Sequence, residues 1–231
     1  MWTRHELKAR GKSAFKANYG NSVIAALILS LLGGGAAASS RFTSSYTNQA
    51  SEEGGSLASN LTPEMVAVIA AVTLMITAIM MLLKIFIFSP LKVGGYRFFR
   101  LNVESPGTSL GVFKEGFDNY GHVVITMFLT DLFLTLWTLL FIIPGIVKSY
   151  SYRMVPYIIK DNPELSANDA ITLSRKMMDG NKWNTFILDL SFIGWALLAL
   201  ITLGIVGIFW TSPYVYSTDA ALYLKLKENM Q

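Results

Sequence analysis

Cysteine is absent from the 231-residue sequence, histidine occurs only at His5 and His122, and charged residues make up only 15% of the chain. The lack of cysteine excludes disulfide bonds, thiolate metal ligands and a cysteine nucleophile. Two histidines leave little basis for a metal centre built on imidazole. Soluble domains carry about 25% charged residues, so the small share here argues against an ordinary soluble enzyme.

Long apolar runs dominate what is present. Apolar residues make up 52% of the chain, and a helix needs about 20 mostly apolar residues to cross the hydrocarbon core of a bilayer. Four runs meet this requirement: residues 21–38, 65–88, 122–143 and 185–207. Two further runs, 146–160 and 208–224, are shorter or more polar, and composition leaves open whether they cross. We therefore predict an all-α fold, a polytopic membrane helix bundle forming one integral membrane domain over residues 1–231.

The distribution of charge predicts the orientation of this bundle. Most of the 19 lysines and arginines lie before the first run, in the segments between runs at 89–121 and 160–184, or at the C-terminus. Basic residues in short loops favour the cytoplasmic side. We therefore expect six spans in the plasma membrane with both termini in the cytoplasm and the polar segment 39–63 outside. Cleavage after Ala38, as at a signal peptide, is the alternative to a retained first span.

Three short amphipathic segments precede the pairs of spans, at residues 1–19, 101–121 and 161–184. In the first, Thr3 and Glu6 have the spacing of a capping box, and one helix face carries Leu7, Gly11, Ala14 and Phe15. In the third, Ser166 and Asp169 have the same spacing. Such helices lie in the headgroup layer or cover the cytoplasmic ends of the spans.

Basic residues in the first of these segments are candidates for contact with lipid. They are Arg4, Lys8, Arg10, Lys12 and Lys16. Each contributes on the order of 1 kcal/mol near an anionic leaflet, so the lipid bilayer, and anionic lipid in particular, is a candidate partner. The alternative is that these charges only orient the chain. A membrane-protein partner is a further expectation, a nucleic-acid partner is not expected, and the sequence does not define an oligomeric state.

A short sequence recurs where two of the segments meet the following run. Asn18-Tyr19-Gly20 is followed after two residues by Val-Ile, and Asn119-Tyr120-Gly121 is followed in the same way. This favours three copies of one unit, each with a surface helix, an outgoing span and a returning span. The alternative is that aromatic residues and glycine are common wherever a helix enters a membrane.

Proline interrupts the returning spans. The returning runs are 65–88, which ends at Ser89-Pro90, 146–160, which contains Pro156, and 208–224, which contains Pro213. The candidate kink positions are Pro144, Pro156 and Pro213. Proline removes one helical hydrogen bond, and in lipid the freed carbonyl needs another partner from protein or water. We therefore expect these helices to lie inside the bundle.

Five charged residues within the predicted spans form a candidate intramembrane polar network. They are Asp131, Lys148, Arg153, Asp189 and Asp219. Each costs about 2.5–3.5 kcal/mol at bilayer depth unless it is paired or hydrated. Counting residues from the turn at Pro144 predicts that Asp131 pairs with Arg153. Such a pair either holds two helices together or takes part in a proton or substrate relay.

The residues offer no recognisable catalytic site. Gly107-Thr108-Ser109-Leu110-Gly111 has the G-x-S-x-G spacing of serine hydrolases, but that chemistry needs a preceding strand and suitable histidine and acid partners. A helix cap explains Thr108 and Ser109 better. No phosphate-binding loop or metal-ligand cluster is present in the sequence. We therefore expect no catalytic residue, metal or cofactor.

Several short motifs, taken together, resemble an uncharacterised family of polytopic integral membrane proteins, a domain of unknown function found mainly in Gram-positive bacteria. The motifs are Glu6-Leu7-Lys8, Pro144-Gly145-Ile146, residues 157–163, 174–180 and 190–195, and Pro213-Tyr214 with Tyr223. The family is distantly similar to the membrane domain of some glycerophosphodiester phosphodiesterases. The resemblance implies a polytopic membrane protein and supplies no catalytic residues.

Three functions remain open from the sequence. The leading hypothesis is a non-enzymatic partner or organiser of envelope or lipid-associated machinery. A small transporter or channel component, using the charged and proline-broken spans, is the alternative, and a lipid-modifying enzyme is the third. A transporter predicts a continuous polar cavity, whereas an organiser predicts paired interior charges and exposed apolar surfaces between the spans.

Overall fold

The computed structural model describes residues 2–33 and 62–230, and these residues form helices joined by short turns, without a strand. The prediction of an all-α fold is confirmed for this part of the chain. The predicted outer segment 39–63, except for its last two residues, and the alternative cleavage site at Ala38 lie outside the described residues.

The helices differ widely in length. In chain order they are α1 (Arg4–Ala17), α2 (Tyr19–Leu31), α3 (Pro63–Leu83), α4 (Ser89–Glu104), α5 (Tyr120–Leu140), α6 (Ile142–Tyr152), α7 (Val155–Asp161), α8 (Ala167–Met177), α9 (Lys182–Leu190), α10 (Ile193–Ile201) and α11 (Ser212–Glu228). Three irregular segments join them: a π-helical turn at Lys84–Phe88, a 3₁₀ segment at Leu110–Phe117 and a second π-helical turn at Gly207–Thr211.

Three helical stretches are long and apolar enough to span a membrane: Pro63–Glu104, Tyr120–Leu140 and Lys182–Ile201. This agrees with a membrane protein. The described part of the first predicted span, α2, has 13 residues. The stretches 146–160 and 208–224, which composition left open, are each interrupted by an irregular turn.

Helix α1 folds as its pattern predicts. Thr3 caps it, because the Thr3 hydroxyl accepts a 3.2 Å hydrogen bond from the Glu6 amide. The predicted apolar face, Leu7, Gly11, Ala14 and Phe15, is buried. Gly11 lies so close to α11 that a Cβ atom there would come within 2.7 Å of the Thr218 amide nitrogen. Helix α1 is therefore packed onto α11.

Helices α4, α7 and α11 pack together in the core through tyrosine rings. The ring centroid of Tyr157 on α7 lies 5.1 Å from that of Tyr96 on α4 and 4.9 Å from that of Tyr223 on α11. Tyr96 also meets Tyr216 edge-on at 6.1 Å. Aromatic pairs at these separations add about 0.5–1.5 kcal/mol beyond the burial of their area. The three helices thus form the centre of the core, on which α1, α2, α5 and α8 pack.

The predicted kink positions behave differently from one another. Pro144 lies in the first turn of α6, where helices tolerate proline without a kink, so the prediction of a kink there is wrong. Pro156 follows an irregular turn at Arg153 and Met154 that separates α6 from α7. Pro213 directly follows the π-helical turn before α11. Pro90 follows the other π-helical turn in the same way. The helix before it, α3, has no residue buried against the described part of the chain, so the expectation that the returning spans lie inside the bundle is wrong for α3.

At two of these prolines, a tyrosine hydroxyl binds the carbonyl that the proline leaves without a helical N–H donor. Proline has no N–H, so the carbonyl four residues before it loses its normal partner. The Tyr120 hydroxyl donates to the carbonyl of Phe86, four residues before Pro90, at 2.8 Å. The Tyr19 hydroxyl donates to the carbonyl of Phe209, four residues before Pro213, at 3.0 Å.

A serine makes hydrogen bonds to the irregular turn before Pro156. The Ser174 hydroxyl on α8 donates to the carbonyl of Ser151 at 2.8 Å and accepts from the amide of Met154 at 3.2 Å. It therefore bridges the two sides of the irregular turn between α6 and α7. The Ser166 cap of α8 is confirmed as well, because its hydroxyl accepts from the Asp169 amide at 3.2 Å.

The second amphipathic segment differs from its prediction. It forms the 3₁₀ segment Leu110–Phe117, and the Ser109 side chain makes no capping hydrogen bond. The Thr108 hydroxyl donates backwards to the carbonyl of Ser105 at 3.2 Å. The prediction that Thr108 or Ser109 caps an α-helix is therefore wrong. Residues 105–109, which precede the 3₁₀ segment, are turn and extended backbone, so no strand leads into Ser109.

Candidate functional site

Three of the five predicted intramembrane charges meet in one cluster, here called the Arg153 cluster: Arg153, Asp189, Asp219 and the hydroxyl of Tyr150. The Arg153 guanidinium donates to both carboxylate oxygens of Asp189, from Nη1 at 2.6 Å and from Nη2 at 2.9 Å. Nη2 also donates to Asp219 Oδ1 at 2.7 Å. The Tyr150 hydroxyl donates to Asp189 Oδ2 at 2.8 Å.

The Arg153 cluster joins three parts of the chain. Asp189 lies near the end of α9, Asp219 lies in the buried stretch of α11, and Arg153 lies in the irregular turn before Pro156. The side chain of Arg153 is 20% exposed and that of Asp219 is 13% exposed. A bidentate arginine–carboxylate pair is both strong and geometrically specific. Because the guanidinium holds both carboxylates, the cluster is suited to fixing the three helices in one arrangement.

The predicted pair of Asp131 with Arg153 does not form. Asp131 Oδ2 instead lies 3.6 Å from Lys84 Nζ, and both side chains are substantially exposed. The prediction counted residues along straight helices from the turn at Pro144. The irregular turn before Pro156 separates α6 from α7, and Arg153 in that turn binds carboxylates of α9 and α11 in place of α5.

Lys148 also lies apart from the Arg153 cluster. Its Nζ atom stands 4.5 Å from the ring centroid of Trp137, near the end of α5. Such a cation–π contact at an exposed site contributes about 0.5–1 kcal/mol. Lys148 and Asp131 are therefore the two predicted network residues that the fold does not bring to the others.

A second cluster, here called the Asp161 cluster, was not predicted. The Asp161 side chain is 2% exposed and accepts contacts from three cations and a tyrosine. These partners are Arg97 at 3.1 Å, Arg100 at 3.3 Å, Lys227 at 2.6 Å and the Tyr223 hydroxyl at 2.8 Å. Glu115 and Glu104 bind Arg97 and Arg100 from their other sides, at 3.1 and 3.2 Å. The cluster thus ties α4, α7 and α11 together at one end.

The sequence contains a signal for the burial of Asp161. Arg97, Arg100 and Lys227 belong to the basic residues whose distribution predicts the orientation of the chain. Asp161 is an acidic residue that follows the apolar run at 157–159 after a single lysine, Lys160. Because a fully buried aspartate is rare unless it is paired, an acid at the end of such a run is a candidate meeting point for basic residues.

The basic residues of α1 have different environments. Arg10 pairs with Glu228 of α11 at 3.4 Å, and Lys16 lies 5.5 Å from the ring centroid of Trp210. Lys8 donates from Nζ to the carbonyl and hydroxyl of Ser191, at 3.1 and 3.2 Å, and lies 4.4 Å from the centroid of the Phe192 ring. Partial burial and then the nearby charge of Arg4 lower the pKa of the Lys8 ammonium. Lys8 is therefore held between α1 and the start of α10.

Among residues 2–33 and 62–230, no group of three or more histidine, aspartate or glutamate side chains is placed to hold a metal ion. The chemistry visible in both clusters is that of ion pairing and hydrogen bonding.

Comparison with known proteins gives a match to a family model over part of the chain. Residues 132–230 match the model of a family described as "Protein of unknown function (DUF975)". No curated protein and no solved structure matches the chain. The expected resemblance to an uncharacterised family is thus confirmed, and the match to DUF975 covers Arg153, Asp161, Asp189 and Asp219, the residues on which both charge clusters are built.

Proposed function

We propose that the protein is a non-enzymatic membrane organiser that binds a transmembrane helix of a partner protein along α3. The observation that carries this proposal is the exposure of α3: none of its residues is buried against residues 2–33 and 62–230. Envelope or lipid-associated machinery remains the expected setting.

The exposure of α3 contrasts with the other candidate spans. Its most apolar window has a mean hydropathy of 2.7 and is 0% buried, whereas the corresponding windows of Tyr120–Leu140 and Lys182–Ile201 are 28% and 17% buried. Val68 is 62% exposed and Leu74 is 72% exposed. A helix of this composition is stable in lipid, and it offers its full circumference to another helix.

The chemistry of α3 suits a second transmembrane helix. Small residues let two backbones approach closely in lipid, and α3 carries Ala67, Ala70, Ala71, Thr73 and Thr77 within three turns. At its end, Lys84 and Asp131 form an exposed ion pair. Charges exposed within a span are costly unless a polar partner or water covers them. A partner helix with a polar side chain at this level fits both features.

The arrangement of the interior charges favours an organiser over a transporter. Transport through the bundle needs ionisable groups that face a substrate path, and Arg153 is bound on both sides by Asp189 and Asp219. The rings of Tyr96, Tyr157 and Tyr223 fill the space between α4, α7 and α11. We therefore place a small transporter or channel component second and a lipid-modifying enzyme third.

Photo-crosslinking in native membranes tests the proposal. A photoreactive amino acid at Val68 or Leu74 of α3 is compared with the same residue at Leu200 or Ile201 of α10, which are 57% and 77% exposed. We expect one discrete protein adduct from the α3 positions and lipid adducts alone from α10. Lipid adducts alone from both helices would contradict the proposal.

The proposal includes a topology of six spans with cytoplasmic termini in the plasma membrane. It arranges the helices in chain order as three pairs: α2 with α3, α5 with α6 and α7, and α9 and α10 with α11. Contacts between α5 and α6, and between α10 and the π-helical turn before α11, support the last two. The turns between the members of the last two pairs carry highly exposed apolar residues, with Ile143 at 76% and Leu203 at 94%. Burying such surface in lipid is favourable, at roughly 25 cal/mol per Å².

A three-unit repeat is part of the same proposal. The units run from α1 to α4, from the 3₁₀ segment to α7, and from α8 to α11. Tyr120, in the second unit, donates a hydrogen bond to the returning helix of the first unit. Ser174, in the third unit, donates one to the returning helix of the second unit. Tyr19 of the first unit binds the third unit's returning helix. These contacts support a closed ring in which each unit stabilises the break in its neighbour.

A further inference from the structure

We propose that a cleft beside the start of α1 binds the phosphate headgroup of one anionic phospholipid. The cleft, here called the Arg4 cleft, is shallow and open to the surface; it is lined by Thr3, Arg4, His5, Lys8 and Ser191 and has a volume of about 430 Å³. This site is independent of what binds α3, and it rests on the proposed location of the protein in a membrane.

Unbalanced positive charge is the first observation behind this assignment. Cations stand every four residues along α1, at Arg4, Lys8, Lys12 and Lys16. Like charges at this spacing lie on one face and destabilise a helix. Within the described part of the chain these four side chains form no ion pair, whereas Arg10 on another face pairs with Glu228. The positive charge of this face is therefore available to an external anion.

The cleft has donors placed to hold a phosphate oxygen. Lys8 is fixed at the wall by its two hydrogen bonds to Ser191 and by the Phe192 ring. Arg4 is exposed at the opening, and its guanidinium can bind two phosphate oxygens at once. A fixed ammonium and a free guanidinium together suit a phosphodiester or phosphomonoester better than a carboxylate, because phosphate offers more acceptor oxygens.

The surroundings of the cleft favour a lipid over free phosphate. Helix α10 begins two residues after Ser191 and carries exposed apolar side chains, including Ile193 at 59%, Leu197 at 53% and Ile201 at 77%. Trp195 and Trp210 lie 5.9 Å apart next to this region. Tryptophan is enriched where hydrocarbon meets headgroups. A headgroup in the cleft therefore leaves its acyl chains beside the apolar surface of α10.

Native mass spectrometry of the full-length protein in detergent tests the assignment. Phosphatidylglycerol, phosphatidylcholine and inorganic phosphate are titrated separately. We expect one tightly retained phosphatidylglycerol, with weaker retention of phosphatidylcholine and of inorganic phosphate. One cation near an anionic headgroup is worth about 1 kcal/mol, so Arg4→Gln should weaken phosphatidylglycerol binding about five-fold. The Arg4→Gln/Lys8→Gln double variant should weaken it further.

The matched control is Lys12→Gln/Lys16→Gln, which removes two charges from the same helix face outside the cleft. We expect it to retain phosphatidylglycerol as the wild type does. Equal losses in the two double variants, or no loss with Arg4→Gln, would overturn the site. Equal retention of inorganic phosphate would overturn the lipid assignment. Arg4 is exposed, so the single variant stays informative even if removing Lys8 impairs folding. Extraction of the protein by carbonate would instead contradict the proposed membrane location.

Discussion

The hydroxyl of Tyr120 donates a 2.8 Å hydrogen bond to the carbonyl of Phe86, four residues before Pro90. Tyr19 makes the equivalent bond to Phe209, before Pro213. The two tyrosines occupy the same place in the repeated Asn-Tyr-Gly sequence. A motif that two halves of a sequence share therefore has one physical role in both, which is to satisfy a carbonyl that proline has deprived of its amide.

Removing either hydroxyl should destabilise the protein. Tyr19→Phe and Tyr120→Phe each delete one hydrogen bond, and we expect each to lower the free energy of unfolding by about 1 kcal/mol. The effects should add in the double variant, because the two sites share no partner. Thermal unfolding in detergent measures both. Tyr157→Phe is the control, since the Tyr157 hydroxyl has no partner in the described chain. Equal losses in all three variants would contradict the role of the two bonds.

The Arg153 cluster makes a prediction about charge. Arg153→Gln leaves Asp189 and Asp219 without their cation, and removing one partner of a buried ion pair costs about 3–5 kcal/mol. Asp131→Asn should cost less than about 1 kcal/mol, because its contact with Lys84 is exposed. Adding Asp219→Asn to Arg153→Gln should restore part of the lost stability. A large loss from Asp131→Asn that Arg153→Gln relieves would instead support the pair first expected from the sequence.

Asp161 should be among the most sensitive positions. Asp161→Asn removes the one charge that faces Arg97, Arg100 and Lys227 together. We expect a loss of about 3–5 kcal/mol or failure to fold. The control is Asp179→Asn, whose side chain is 84% exposed and, among the residues that the structure describes, forms an ion pair only with Lys182. Lys227→Gln in the Asp161→Asn background should recover part of the expression yield. Normal yield and stability of Asp161→Asn would exclude a structural role for the cluster.

The six-span topology can be tested against a background free of native cysteine. Single cysteines are placed at Ser13, Asn229, Ile143 and Ile205. A membrane-impermeant maleimide should label the last two in intact cells. It should label Ser13→Cys and Asn229→Cys only after the membrane is opened. Labelling of all four in intact cells, or of Ile143→Cys and Ile205→Cys only after opening, would exclude this topology.

Local sequence patterns predicted local structure well. The face of α1 that carries Leu7 and Phe15 is buried, and Thr3 and Ser166 cap the helices they precede. Each of these features depends on residues within one or two turns of the chain, where helical spacing alone determines which side chains meet. Of the four apolar runs predicted to be long enough to cross a membrane, three coincide with helical stretches of that length, for the same reason.

Contacts between distant segments could not be predicted in this way. Arg153 was placed by counting along a straight helix, but the irregular turn before Pro156 changed its neighbours. Asp161 gathers partners that are 61 to 66 residues away in sequence. Its burial follows from how α4, α7 and α11 pack, and no periodicity within one helix carries that information.

The bond between Tyr19 and Phe209 joins residues 190 positions apart. A ribosome adds about 5–20 residues per second, so α1 and α2 wait roughly 10–40 s after their own synthesis before α11 exists. During that time the buried face of α1, with Leu7 and Phe15, lacks α11, the helix on which it mainly packs. The order of synthesis therefore makes the amino-terminal helices the segment most in need of a chaperone, an insertase or the membrane surface while the rest of the protein is made.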